Sequence, residues 1–339
     1  MLSGPDPLRH LLDRRLLLFT GKGGVGKSTV VAALAAEAAA RGLRPLIVEL
    51  GHRATMQGIF ADMGATHPIG HEPVPVTADR TIWAANLDFE AAIVDYVADQ
   101  VKLRSVARTI VGNRALQGLF RAAPAVREIV MLNKLRLFER AVTRGRPTWG
   151  PILVDLDATG HALMLLEMPR VVSELLADGP LRGLVDALTG LFTDPARTLL
   201  NLVTLPAEIP VQETLELYHR LRREHGVRLG ALFVNNVPAP AIDGELRPYL
   251  PELAGLAARE GLPDLAADVL LAEQAIARDE LVLTLVAQLQ HEVDLPLALL
   301  PRLAPHEFDI PGLRRLGRAA LSSLAAPPSP VQWDIQEQA

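Results

Sequence analysis

Eight consecutive residues, Gly21-Lys22-Gly23-Gly24-Val25-Gly26-Lys27-Ser28, satisfy G-x-x-x-x-G-K-[ST], a spacing with a definite chemical use. The glycines let successive backbone N–H groups turn inward with no Cβ in the way, so that they wrap phosphate oxygens. The N-terminus of a following helix adds partial positive charge. Lys27 is spaced to reach the β- and γ-phosphates of a nucleoside triphosphate, and the Ser28 hydroxyl, with Thr29 beside it, to meet a Mg²⁺ ion. Gly21, Gly23 and Gly26 also match G-x-G-x-x-G, and Glu49 stands where a dinucleotide fold carries its ribose-binding acid. That alternative gives the Lys27–Ser28 pair nothing to do, so ATP and Mg²⁺ are the expected ligands. Lys22 is a second lysine at the start of the loop and does not easily fold back to its own γ-phosphate. Across a dimer interface it would supply charge in trans, as an arginine finger does.

The elements that must hold this loop surround it in the sequence. LLLFT after Arg15 is a short apolar run of the kind that forms a buried parallel strand. A helix follows through VVAALAAEAAARG, with Gly42 near its C-cap, and then a second strand, PLIVEL, at 45–50. TIWAANL, PILVDLD, RTLLNLVTLP, VRLGALFVNNV and DLPLALLP read as further strands. Residues 51–80 look irregular, 211–224 and 311–324 helical, and 240–289 mostly helical. The expected fold class is α/β, a mostly parallel doubly wound sheet flanked by helices. Helical insertions are expected at about 88–144 and 162–192, in one domain over 1–325, with 326–339 a flexible tail.

Composition removes several classes of function. There is no cysteine, hence no disulfide framework, thiol nucleophile or Cys-based metal site. The start lacks an apolar signal region, and no apolar run is long enough to span a bilayer, so a cytoplasmic location is expected. A net charge of −5 disfavours general nucleic-acid binding. The charge is unevenly spread. Between Val101 and Gly150, 11 Lys/Arg face only Glu128 and Glu139, whereas Pro240–Leu295 carries 11 Asp/Glu against three arginines. Such blocks are solvated helix faces or marks of an anionic partner or complementary subunit.

The loop together with DLDATGHALMLLEMPR at 155–170 resembles the arsenite-pump/guided-entry (ArsA-like) family of deviant Walker A P-loop ATPases. AAPAVREIVMLNKL, VTLPAEIPVQETLEL, FVNNVP and PGLRRLGRAAL extend the resemblance along most of the chain. It implies that Asp155 holds the Mg²⁺ shell through water, that Thr159, Gly160 and His161 form a switch sensing the γ-phosphate, and that Asn235 reads the adenine. It also implies a dimer, with itself or with an ArsA-like paralogue, that couples ATP state to a protein client. Ile93, Val94, Tyr96, Val97, Ile129, Val130 and Leu132 either line a groove for that client or pack in the core.

One stretch departs from the family pattern D-T-D-P-A. Here it reads Glu49-Leu50-Gly51-His52-Arg53, with Gly51 in place of the aspartate that positions the attacking water. Hydrolysis is then slow, rescued by Glu49, His52 or Asp157, or completed by a partner subunit. Without cysteine there is neither the family's arsenite site nor its interfacial zinc clamp. Two alternatives to the client-binding ATPase stay open: a weakly hydrolysing regulatory subunit, and a spatial organiser of the MinD/ParA kind. The polar, acidic C-terminal end lacks the membrane helix that the latter needs, so any membrane contact would be indirect.

Overall fold

A computed structural model of the chain describes residues 11–50, 54–65, 67–101, 104–111, 124–156, 179–224, 228–242 and 245–325. Its centre is an eight-stranded sheet of order β10-β9-β8-β1-β7-β2-β4-β3. The strands are β1 Leu16–Thr20, β2 Leu46–Leu50, β3 Val74–Pro75, β4 Trp83–Leu87, β7 Ile152–Leu156, β8 Thr198–Thr204, β9 Leu229–Val237 and β10 Leu297–Pro301. All pair in parallel except β3, which runs antiparallel along the edge of β4. Two further two-residue strands, β5 Val142–Thr143 and β6 Arg146–Pro147, make a separate exposed hairpin.

Strands β1, β2, β7 and β8 are buried along their whole length, which is why they read as unbroken apolar runs. Alternate residues feed two cores: Leu16 and Leu18 point into one, Leu17 and Phe19 into the other. Helices α1 (Lys27–Ala40) and α10 (Ile310–Ala325) cover the second face. There Gly317 lets the helices touch: a Cβ on it would strike the carbonyl of Ala33. The first face is covered by α3 (Phe89–Val101), α5 (Pro124–Arg140), α6 (Pro180–Thr193), α7 (Glu208–Glu224) and the C-terminal half of α9 (Pro263–Glu292). The short α2 (Thr55–Ile59), α4 (Arg104–Val111) and α8 (Leu250–Glu260) complete the helices of the described residues.

The parallel doubly wound sheet is the one anticipated. Of the groove candidates, Ile93, Ile129, Val130 and Leu132 are core residues, at most 2% exposed, whereas Val94, Tyr96 and Val97 are half-buried. A His71–Asp95–Lys134 cluster ties α3 and α5 to the loop before β3, with His71 Nε2 at 2.9 Å and Lys134 Nζ at 2.5 Å from Asp95 Oδ2. Burial raises Asp95, but hydrogen bonds from His71 and Lys134 outweigh it and hold the carboxyl below its ordinary range. The hairpin at 142–147, strand β3 and helix α2 were not anticipated. Each spans only two to five residues, too few to show a hydrophobic period. No helix of the described residues is long and apolar enough to cross a membrane.

Candidate functional site

The loop 21–26 leaves the C-terminal end of β1, the central strand, and enters α1. This is the edge where open parallel sheets carry their ligands. Backbone conformation explains two of its glycines. Gly24 and Gly26 have φ of 89° and 86°, and a Cβ on Gly26 would run into the side-chain amide of Asn235. Asn235, 7% exposed on β9, donates from Nδ2 to the carbonyl of Val25 at 3.0 Å, bracing the loop from the neighbouring strands. Gly21 sits against the carbonyl of Val203 on β8, where no side chain fits. Gly23 has open space around it.

A cleft of about 340 Å³ opens in front of the loop, lined by Gly23, Gly24, Gly26, Lys27, Ser28, Thr29, Glu49 and Asp155 among others. Lys27 arches over the loop, donating from Nζ to the carbonyls of Gly21 (3.1 Å) and Lys22 (3.2 Å). The Ser28 hydroxyl donates to Asp155 Oδ2 at 2.5 Å. Asp155 is the last residue but one of β7, which pairs with both β1 and β2, and it stands opposite Glu49 in the β2–β7 register. Glu49 is 4% exposed; its Oε1 accepts from the Met56 N–H at 3.0 Å. Burial pushes its carboxyl up to about 7; the Met56 N–H opposes this and the neighbouring Asp155 adds to it.

A second cleft of about 210 Å³ adjoins the first and shares Gly24, Gly26 and Thr29 with it. Its walls are Leu205, Pro301, Leu303, Phe308 and Leu316, with Asn235 and Asn236 at its polar side. The first cleft is walled by phosphate-binding and oxygen-donor groups, the second by apolar groups suited to a planar base. The oxygen-only set of Ser28, Asp155 and Glu49 fits a hard divalent ion such as Mg²⁺.

The anticipated residues therefore fall into three groups. Gly23, Gly24, Gly26, Lys27, Ser28, Thr29, Glu49 and Asp155 line the first cleft, and Asn235 the second. Gly21 and Lys22 line neither cleft, and Val25 lies in the second with its side chain 2% exposed. Lys22 instead pairs with Glu213 on α7, Nζ to Oε1 at 2.6 Å. Thr159, Gly160 and His161, like Gly51, His52, Arg53 and Asp157, lie outside the described residues. Sequence reasoning missed Leu205, Leu303 and Phe308 as cleft walls and Glu213 as the partner of Lys22. Only their position after strands β8 and β10 could have pointed to them.

The sequence profile of the anion-transporting ATPases matches residues 14–180, which span the loop and Asp155. The ATPase BagA of Mycobacterium tuberculosis is 33% identical over 230 residues, 66% of either chain. The arsenical pump-driving ATPase of Escherichia coli is 24% identical over 66% of this chain but 35% of its own length. Protein Rv2184c of M. tuberculosis is 28% identical over 94% of this chain and 78% of its own. The chain thus spans about two thirds of BagA and about a third of the pump-driving ATPase.

Proposed function

This chain belongs to the ArsA-like ATPase family, and we propose that it binds ATP·Mg²⁺ at Gly21–Ser28 and hydrolyses it as half of a dimer coupled to a protein client. The observation that carries this reading is the meeting of three strands at one cleft. The loop after β1, Asp155 near the end of β7 and Glu49 near the end of β2 all face the same 340 Å³ space. Lys27 leaves its carbonyl partners to contact the terminal phosphates, while the loop amides wrap the others. Ser28 and Asp155, already joined by a hydrogen bond at the cleft, would hold the cation. When bound, Mg²⁺ supplies charge neutralisation between the β- and γ-phosphates. The base enters the apolar cleft beside Asn235 and Asn236.

In this reading Lys22 exchanges Glu213 for the nucleotide of the facing subunit, and Thr159, Gly160 and His161 report the γ-phosphate to the helices around 88–144. Turnover of purified chain and its mass with a non-hydrolysable ATP analogue test it together. ATP-dependent doubling of mass with turnover that rises with protein concentration is expected. Nucleotide bound by a persistent monomer would overturn the dimer model.

Gly51 favours a second reading. A residue without a side chain orients no water, so the chain would bind ATP and leave hydrolysis to an ArsA-like paralogue in a heterodimer. Robust turnover by the isolated chain would exclude that.

A further inference from the structure

Glu49 has an oxygen to spare. Its Oε1 is satisfied by the Met56 N–H, while Oε2 is buried and meets no hydrogen-bond donor among the described residues. A buried acceptor left in that condition is costly, and native proteins rarely keep one without a use. The side chain is 4% exposed and borders the phosphate cleft rather than a core cluster. Strand pairing sets it opposite Asp155, whose carboxylate already holds the Ser28 hydroxyl. Adjacent carboxylates repel, which either a proton on one of them or a cation between them relieves.

We propose that Glu49 is a cation ligand, completing with Asp155 and Ser28 an all-oxygen site that takes Mg²⁺ or Mn²⁺ before the nucleotide arrives. The inference rests on the nucleotide-site reading only for its location. It assigns Glu49 a task different from that of a water-activating base. A base touches the attacking water and has no bearing on metal affinity in the nucleotide-free protein, whereas a ligand determines it. Two carboxylates and a hydroxyl in one cleft are an ordinary donor set for a divalent ion that keeps part of its water shell.

The test is a Mn²⁺ titration of the full-length chain without nucleotide, followed by the electron paramagnetic resonance of free Mn²⁺. One bound Mn²⁺ per chain is expected. Glu49→Gln, which keeps shape and loses charge, should weaken it at least ~10-fold, and Glu49→Asp, which keeps charge and loses reach, by less. Thermal melts in EDTA report whether each variant folds, and the Asp variant carries the test if the Gln variant does not. Wild-type chain that takes no Mn²⁺ without nucleotide, or a folded Glu49→Gln variant with wild-type affinity, overturns the proposal. Binding of a fluorescent ATP analogue to wild-type chain separates the two readings. Nucleotide bound by a chain that takes no Mn²⁺ on its own leaves the functional reading standing and removes this one. Mn²⁺ bound without nucleotide affinity does the reverse.

Discussion

Lys22 and Glu213 form an ion pair, Nζ to Oε1 at 2.6 Å, joining the phosphate loop to helix α7 across 191 residues of sequence. Both side chains are about 40% exposed, so the pair is worth at most ~1 kcal/mol and breaks readily. Lys22→Ala should therefore leave the melting temperature almost unchanged while lowering turnover by ~100-fold or more, the scale of a charge supplied in trans. Glu213→Gln, which releases Lys22, should strengthen ATP-dependent dimerisation by up to ~5-fold. Sedimentation and turnover measured against protein concentration check both.

Two glycines of one loop should behave differently. Gly26→Ala places a Cβ on a residue with φ of 86° and against the Asn235 amide, and should cost ~1–3 kcal/mol and abolish nucleotide binding. At Gly23 an added Cβ meets nothing within 4 Å, and Ala there should change stability by less than ~0.5 kcal/mol. Denaturant melts of the two variants give the comparison.

Glu49 makes stability depend on pH with a predictable sign. Its carboxyl is raised from 4.5 to about 7 in the folded chain, chiefly by burial, so the native state holds this proton more tightly than the unfolded one. Stability therefore falls as pH rises between these values, is unaffected by this group below about 4.5, and levels off above about 7. The total is up to ~3 kcal/mol. In EDTA, Glu49→Gln should match wild type near pH 4.5 and melt several degrees higher at pH 8.

Gly317 of α10 lies directly against Ala33 and Glu37 of α1. Its replacement by Ala pushes a methyl toward the Ala33 carbonyl carbon and the Glu37 Cβ, 2.8 and 2.9 Å from the added atom. Both helices are packed on the sheet and have little room to part, so a loss of ~1–3 kcal/mol is expected in chemical denaturation.

Asp95 and Lys134 are 10% and 8% exposed and joined at 2.5 Å. Lys134→Met takes the ammonium away from a buried carboxylate and should cost ~3–5 kcal/mol. Adding Asp95→Asn should recover a substantial part, a coupling that a double-mutant cycle measures directly.

The phosphate loop and the parallel sheet were legible because each is written locally, whereas Asp155 entered through the resemblance carried by 155–170. A glycine spacing or an unbroken apolar run carries its meaning without knowledge of the rest of the chain. The partner of Lys22 was not, because the proximity of Glu213 follows from how α7 packs after β8 and from no motif. The apolar cleft was hidden for a related reason. Leu303 and Phe308 are ordinary hydrophobic residues in sequence, and only the position of β10 at the sheet's edge brings the chain after it back to the loop. Glu49 was legible as a candidate but not as an acceptor with one oxygen unserved, since that depends on where Met56 turns.

The strand order also bears on how the molecule comes to exist. β1 appears first in the chain, yet its two neighbours are β7 and β8, which end at Leu156 and Thr204. During synthesis the loop therefore emerges long before either wall that holds it, and the carbonyl of Val203 against which Gly21 rests follows only with β8. Closing so wide a span of chain is a slow, non-local event. The nascent protein has no assembled cleft until β7 and β8 are free of the ribosome, so nucleotide can steady the finished domain but not guide its early stages.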